Sequence, residues 1–321
     1  MNIVEPISLI GRSESLKKIR KKINRIAKYD ATVLITGETG VGKEIVAKRI
    51  HHLSNRKDNN FVPINVGAIP DNLLESELFG YEKGAFTGAT QRKVGKLEIA
   101  DNGSFFMDEI GELPHHLQVK LLRAIQNQTF QRLGSVETIQ VDVRFIASTN
   151  RDLEEMIKKK RFREDLYFRI NVISIKIPPL RERKEDIPVL VRYFFKNKMG
   201  YLPKIDKEVF IYLKSFNWYG NVRELINNLT RISIFLENEK HVKLSNVKPY
   251  VKTADLKNPG KKNDEKFWGQ PYKKAVKSFK KKYIISMLKK NNWIQTKTAN
   301  EMGIQPSYLS RLISKYNIKR E

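Results

Sequence analysis

The sequence predicts an α/β fold, a parallel sheet layered between helices, with a small helical subdomain behind it and a separate all-α unit at the C-terminus. Three features carry that expectation. Short β-rich apolar runs alternate with helical periodicities over the first 180 or so residues, the alternation that builds a parallel sheet covered on both faces. Strand signals stop near residue 185. Past residue 252 a polar stretch gives way to lysine-rich helical patterns.

Taken in order, residues 31–36 (ATVLIT) are the first apolar run; the glycines after it and the spacing of Ile45, Val46, Ile50 and Leu53 give strand, loop, helix. Similar runs at 61–66, 103–107 and 143–148 predict further strands, with helices at 72–78 and 114–126. Residues 187–197, 207–215 and 222–236 predict three helices of the subdomain. The stretch 253–263 (TADLKNPGKKN), with Pro259 and Gly260, predicts a linker. The expected divisions are an α/β part at 8–184, a helical part at 185–250, a linker at 251–266 and a C-terminal unit at 267–321.

The 321 residues suffice for about two domains with a real core. Hydrophobic residues make up 40%, yet no run approaches the roughly 18–20 apolar residues of a membrane span, and no apolar signal segment follows Met1. A soluble, cytoplasmic chain without membrane contact is therefore expected. The absence of cysteine excludes disulfides, thiolate zinc sites and Cys nucleophiles. Lys+Arg 61 against Asp+Glu 35 gives +26, which points to a polyanionic partner. Residues 252–321 hold 18 Lys/Arg and 5 Asp/Glu, net +13, so half the charge lies in the last 70 residues and the nucleic-acid expectation attaches there.

Gly37, Glu38, Thr39, Gly40, Val41, Gly42 and Lys43 match the G-x-x-x-x-G-K phosphate loop, after a predicted strand and opening a helix. Glycines let backbone N–H groups turn inward around phosphate oxygens, the helix N-terminus adds partial positive charge, and Lys43 reaches the β and γ phosphates. Glu44 replaces the usual Ser/Thr, so Mg²⁺ needs another ligand. Asp108, ending the apolar run 104–107, is that candidate, and adjacent Glu109 would orient and polarise an attacking water. A nucleotide's phosphates and Mg²⁺ are what these residues imply.

Between these motifs, residues 77–89 (ELFGYEKGAFTGA) form a glycine-punctuated loop presenting Phe86 and Thr87 to solvent, a contact surface. With this loop the sequence resembles the bacterial enhancer-binding proteins, the AAA+ activators of sigma-54 RNA polymerase, whose hallmark reads GAFTGA as at 84–89. The likeness runs from about residue 9 to 249 and includes 37–44 with its Glu44, His51-x-x-Ser54-x-Arg56, 103–109, 162–169 (FREDLYFR), 178–183 (PPLRER) and 218–225 (WYGNVREL). The resemblance implies ATP as the nucleotide and an AAA+ P-loop αβα sandwich with a helical lid, acting as a mechanical ATPase in a hexameric ring. Its loop, through Phe86 and Thr87, would grip the sigma factor of the sigma-54 RNA polymerase holoenzyme. Arg163 and Arg169 match the family's trans-acting arginine fingers, Arg223 its second sensor, and Asn65 the residue that holds the catalytic Glu109 off its water. Either Thr149 or Asn150 matches the first sensor. Tyr219 departs from the family's proline, which is expected to alter a local turn and leave Arg223 in place. The short stretch before the ATPase resembles the arrangement of the phage-shock activators, which have no N-terminal regulatory domain, and equally that of a shortened chain.

Residues 296–313 have helix-turn-helix spacing: Ala299 allows close helix approach, Gly303 turns the chain, and Ile304, Leu309 and Leu312 seat the second helix. This segment resembles the Fis-type DNA-binding domain. On that reading Gln305, Ser307, Tyr308 and Arg311 face the major groove or its phosphates in double-stranded enhancer DNA, residues 280–282 and Lys315 add non-specific affinity, and Ile284, Ile285 and Leu288 pack a dimerisation helix. The favoured expectation is an ATP-driven activator; the alternative is a DNA-binding repressor using the ATPase fold as an oligomerisation switch.

Overall fold

The computed structural model describes residues 9–236, 239–252 and 272–318. The chain divides into two compact units, Met1–Ala254 and Asp255–Glu321. In order, the first unit runs α1 (Glu14–Ile26), β1 (Val33–Thr36), α2 (Lys43–His52), β2 (Phe61–Asn65), α3 (Asp71–Phe79), β3 (Gly80–Tyr81), β4 (Lys93–Val94), α4 (Lys96–Ile99) and β5 (Ser104–Asp108). It continues through α5 (His115–Asn127), β6 (Thr129–Gln131), β7 (Thr138–Gln140), β8 (Arg144–Thr149), α6 (Leu153–Lys158), α7 (Glu164–Ile170) and β9 (Ile173–Lys176). The helical part contributes α8 (Ile187–Met199), β10 (Lys204–Ile205), α9 (Lys207–Ser215), α10 (Asn221–Phe235), β11 (His241–Val242) and α11 (Leu244–Val247).

Five strands form one sheet in the order β2-β5-β8-β1-β9, all parallel. Successive side chains point to opposite faces, and both faces are apolar. Val33, Ile35, Phe106 and Ile146 pack on one side with Leu16, Ile23, Val46 and Ile50 of α1 and α2. Leu34, Phe105, Met107 and Phe145 pack on the other with Leu74, Leu117, Leu121 and Leu166 of α3, α5 and α7. Burial on both faces is why these strands read as continuous apolar runs. Each such side chain contributes about 1.5–3 kcal/mol relative to exposure. This is the expected α/β sandwich, and it carries the C-terminal ends of β1, β5 and β8 to one edge.

Each of the four expected strands overlaps an observed one, β5 and β8 running one residue further. The sequence reading names neither α1 nor β9. α1 hides Leu16, Ile19, Ile23 and Ile26, a buried stripe at helical spacing, among lysines and arginines. Ser13 caps its start, and at its end the buried Arg144 donates to the carbonyls of Ala27 (2.7 Å) and Ile26 (3.1 Å). Burial pushes the Arg144 guanidinium down to about 10, and its charge complements the helix C-terminus. β9 is an edge strand with Ser174 and Lys176 exposed, which interrupts its apolar pattern.

The helical subdomain closes over its own core of Phe195, Trp218, Leu225, Leu229 and Ile232. Among the described residues, the second unit contains α12 (Tyr272–Lys290), α13 (Gln295–Glu301) and α14 (Pro306–Lys315). Its core is Ile284, Leu288, Ala299, Leu309, Tyr316 and Ile318, with Ile285 packed against it. Ile284 and Leu288, expected to pack a dimerisation helix, are 2% and 0% exposed and pack α12 into the core of its own unit. Residues 253–266 of the expected linker, and 267–271 after it, lie outside the described residues. Among the described residues no helix is long and apolar enough to cross a membrane.

Candidate active site

The loop between β1 and α2 is built for close approach. Gly40 and Gly42 have φ of +81° and +104°, conformations that side-chain-bearing residues rarely adopt. A Cβ on Gly40 would stand 2.4 Å from the Gly220 carbonyl oxygen. The Gly37 N–H donates to Thr149 O at 3.2 Å, tying the loop to the end of β8. Lys43, 8% exposed, donates Nζ to the carbonyls of Gly37 (3.0 Å) and Glu38 (3.4 Å). Burial lowers its pKa below 10.5, and Asp108 and Glu109 oppose that shift. Both carboxylates are therefore near enough to act on the lysine's charge.

Asp108 ends β5 opposite Asn65 at the end of β2. Its Oδ1 accepts from the Ser148 hydroxyl and from the Glu109 N–H at 3.2 Å. Glu109 leaves the strand with φ +59°, which turns its carboxylate across Gly67: a Cβ there would lie 2.5 Å from Glu109 Oε2 and 3.6 Å from Asn65 Oδ1. Asn65 and Glu109 thus converge on one glycine. At the end of β8, Thr149 is buried and its hydroxyl accepts from the Arg151 N–H at 3.0 Å, whereas Asn150 Nδ2 donates to Thr39 Oγ1 at 3.1 Å on the loop. Arg223 lies in the first turn of α10, and its N–H reaches Gly40 O at 3.3 Å. It stays against the loop with tyrosine at 219.

Lysine, glycine-framed amides at a helix N-terminus and one strand-end carboxylate fit a Mg²⁺–nucleotide, since Mg²⁺ takes one or two carboxylates and the substrate's phosphates. Glu44 is exposed and pairs with Lys48 at 3.0 Å, one turn along α2.

Other expected residues lie elsewhere. Arg163 precedes α7 and forks onto Asp165 at 3.0 and 2.7 Å; Arg169, on α7, reaches Ile125 O at 3.5 Å. Arg163 thus bonds onto α7 and Arg169 onto α5. Residues 82–92 rise from the β3–β4 ribbon. Gly84 and Gly88 have φ of +84° and +101°, and the Gly84 N–H closes the loop onto Ala89 O at 2.8 Å. Phe86 is 45% exposed, edge-on to Tyr81 at 4.9 Å, and Thr87 is exposed. In the second unit Gln305, Ser307, Tyr308 and Arg311 are exposed at and along α14, as are Lys280 and Lys315.

Sequence reasoning named Glu38 and the motifs 178–183 and 218–225, and missed the contacts between them that hold the site. Glu38 turns its carboxylate onto Arg181 (2.7 and 2.5 Å) and Asn221 (3.1 Å). Buried Arg183 donates to Val41 O at 3.0 Å. One signal pointed there: an acid inside an anion-binding loop requires a cationic partner.

Residues 9–176 match the family described as the Sigma-54 interaction domain, and residues 181–264 the AAA+ ATPase lid domain. The chain is 40% identical over 320 residues to the Nif-specific regulatory protein of Azotobacter vinelandii, covering 97% of this chain and 59% of that protein. It is 52% identical over 227 residues to the formate hydrogenlyase transcriptional activator of Salmonella typhimurium, covering 70% of this chain and 33% of the activator. It therefore spans about three-fifths and one-third of the lengths of these relatives. Crystal structures of NtrX from Brucella abortus in complex with ADP and with ATP superpose with TM-scores of 0.71 and 0.70, each at 32% identity; the ADP complex covers 98% of this chain and 70% of that one. In sequence over more than half its length, and in fold, the chain belongs to the sigma-54-dependent transcriptional activators with an AAA+ ATPase and lid.

Proposed function

We propose that this chain is an ATP-driven activator that binds upstream DNA and remodels the closed complex of sigma-54 RNA polymerase, working in the cytoplasm as a ring, hexameric by resemblance. The observation that carries the reading is the gathering of Lys43, Asp108, Glu109, Asn150 and Arg223 around one phosphate loop, in a chain whose 84–89 loop presents Phe86 and Thr87 to solvent. The parts would be the ATPase at 8–184, its lid at 185–250 and a DNA-binding unit at 267–321.

Backbone amides of 40–44 and Lys43 would bind the phosphates of ATP. Mg²⁺ on Asp108 would neutralise charge between the β and γ phosphates. Ser148, donating to Asp108, fixes that carboxylate. Glu109 orients the attacking water and accepts its proton. Asn65, sharing the Gly67 site, is suited to hold Glu109 away from that water until the neighbouring subunit engages. Asn150 is the better first sensor, because it touches the loop while the Thr149 hydroxyl is occupied. Arg223 would sense the nucleotide from its own lid, and Arg163 and Arg169, by resemblance, would reach a neighbour's γ phosphate; in this chain they bond Asp165 and Ile125 O. Gln305 before α14 and Ser307, Tyr308 and Arg311 along it, all exposed, would contact duplex DNA.

The test separates chemistry from force. Thr87→Ala should hydrolyse ATP at close to the wild-type rate and fail to open a sigma-54 promoter; normal promoter opening by that variant would remove the contact role of the loop.

A further inference from the structure

The phosphate loop is gripped from behind. The Glu38 carboxylate accepts from both guanidinium nitrogens of Arg181, at 2.7 and 2.5 Å, and from Asn221 Nδ2 at 3.1 Å. Asn221 opens α10 with φ +55° and is fully buried. Its side chain also accepts from the Leu180 N–H at 2.8 Å and donates to Thr39 O at 3.0 Å. One and two residues on, the N–H groups of Val222 and Arg223 reach Gly40 O at 3.0 and 3.3 Å. A Cβ on Gly40 would lie 3.1 Å from the Arg223 Cβ. The loop, the segment before the lid and the lid helix thus meet around one carboxylate.

We propose that Glu38 is a positioning residue: with Arg181 and Asn221 it latches the lid helix to the phosphate loop and so sets where Arg223 stands relative to the nucleotide. The proposal rests on the ATPase reading above. An acid in a loop that receives polyphosphate repels its ligand unless its charge is matched. Arg181 supplies the match by holding the carboxylate, and Lys43 contacts the Glu38 backbone carbonyl. A forked guanidinium–carboxylate pair fixes orientation as well as distance, and Asn221 passes that orientation to the first turn of α10. Phosphate binding at 38–40 therefore biases the lid, and the lid biases the loop by the same free energy.

The experiment is a double-mutant cycle in the full chain. ATP affinity is measured by calorimetry for wild type, Glu38→Gln, Arg223→Ala and the double variant, with melting temperature alongside. Acting through Arg223, Glu38→Gln weakens ATP binding about 5-fold or more in the wild-type background and hardly at all once Arg223 is alanine. Equal fold losses in both backgrounds overturn the proposal. Should Glu38→Gln fail to fold, Arg181→Lys, which keeps the charge and loses the fork, carries the same cycle and the same two outcomes. Because the readout is binding, a coupled cycle in a chain that never opens promoters would refute the functional reading and leave the latch standing. An uncoupled cycle in an active protein would refute the latch alone.

Discussion

His51 illustrates what burial does to a single side chain in this fold. It lies on α2, 7% exposed, with Nδ1 2.9 Å from Ser104 Oγ and its ring 5.3 Å from that of Phe61. Burial, the largest influence, lowers its pKa below the ordinary 6.5. Below 6.5 the unfolded chain therefore binds the proton that the folded chain resists. Stability is lost as pH falls through that value, until the folded ring protonates too. We expect the melting temperature of wild type to drop more steeply from about pH 7 to about pH 5 than that of His51→Gln; parallel slopes would contradict the assignment. At this scale, legibility followed locality. Lys43, Asp108 and Glu109 could be read because their chemistry sits in short local patterns. The contacts of Arg181 and Asn221 could not, because their partner Glu38 is 143 and 183 residues away.

Among the elements, the surface loop was legible and its platform was not. The motif at 84–89 and its exposed Phe86 follow from the sequence, but the loop stands on a buried arginine contributed by a hairpin 40-odd residues later. Arg132, 6% exposed, donates to Glu98 at 3.0 and 2.6 Å and to Glu82 at 2.9 Å. The Glu82 N–H bonds Leu133 O at 3.0 Å, and Gly134 packs directly on Ala85. Arg132→Ala would remove the buried member of the two arginines that Glu82 and Glu98 share, leaving the exposed Arg92 at 3.7 and 3.5 Å, at a cost of about 1–3 kcal/mol. Its melting temperature should fall and proteolysis within 82–92 should accelerate, with Arg132→Lys intermediate. Unchanged melting and cleavage would show that the platform does not depend on Arg132. β9 escaped the sequence reading for a related reason: an edge strand has one exposed side, and Ser174 and Lys176 occupy it.

For the whole molecule, the fold class was legible because burial on both sheet faces writes itself into continuous apolar runs. Strand order was not, since β2-β5-β8-β1-β9 is set by crossovers and packing rather than by any one segment. The net +13 of residues 252–321 marks the C-terminal unit as distinct in the sequence. Assembly is the scale at which the functional account stands or falls, because it places Lys43 and Arg223 in one subunit's site and Arg163 and Arg169 in the next. Lys43→Ala and Arg169→Ala subunits should each be nearly inactive alone. When mixed, some interfaces pair an intact phosphate loop with an intact arginine. The deciding measurement is ATPase rate against mixing ratio, at a total concentration where wild type assembles and mixed oligomers are verified. The account predicts a maximum at intermediate ratios above both parents; a straight line between the two inactive parents would contradict it.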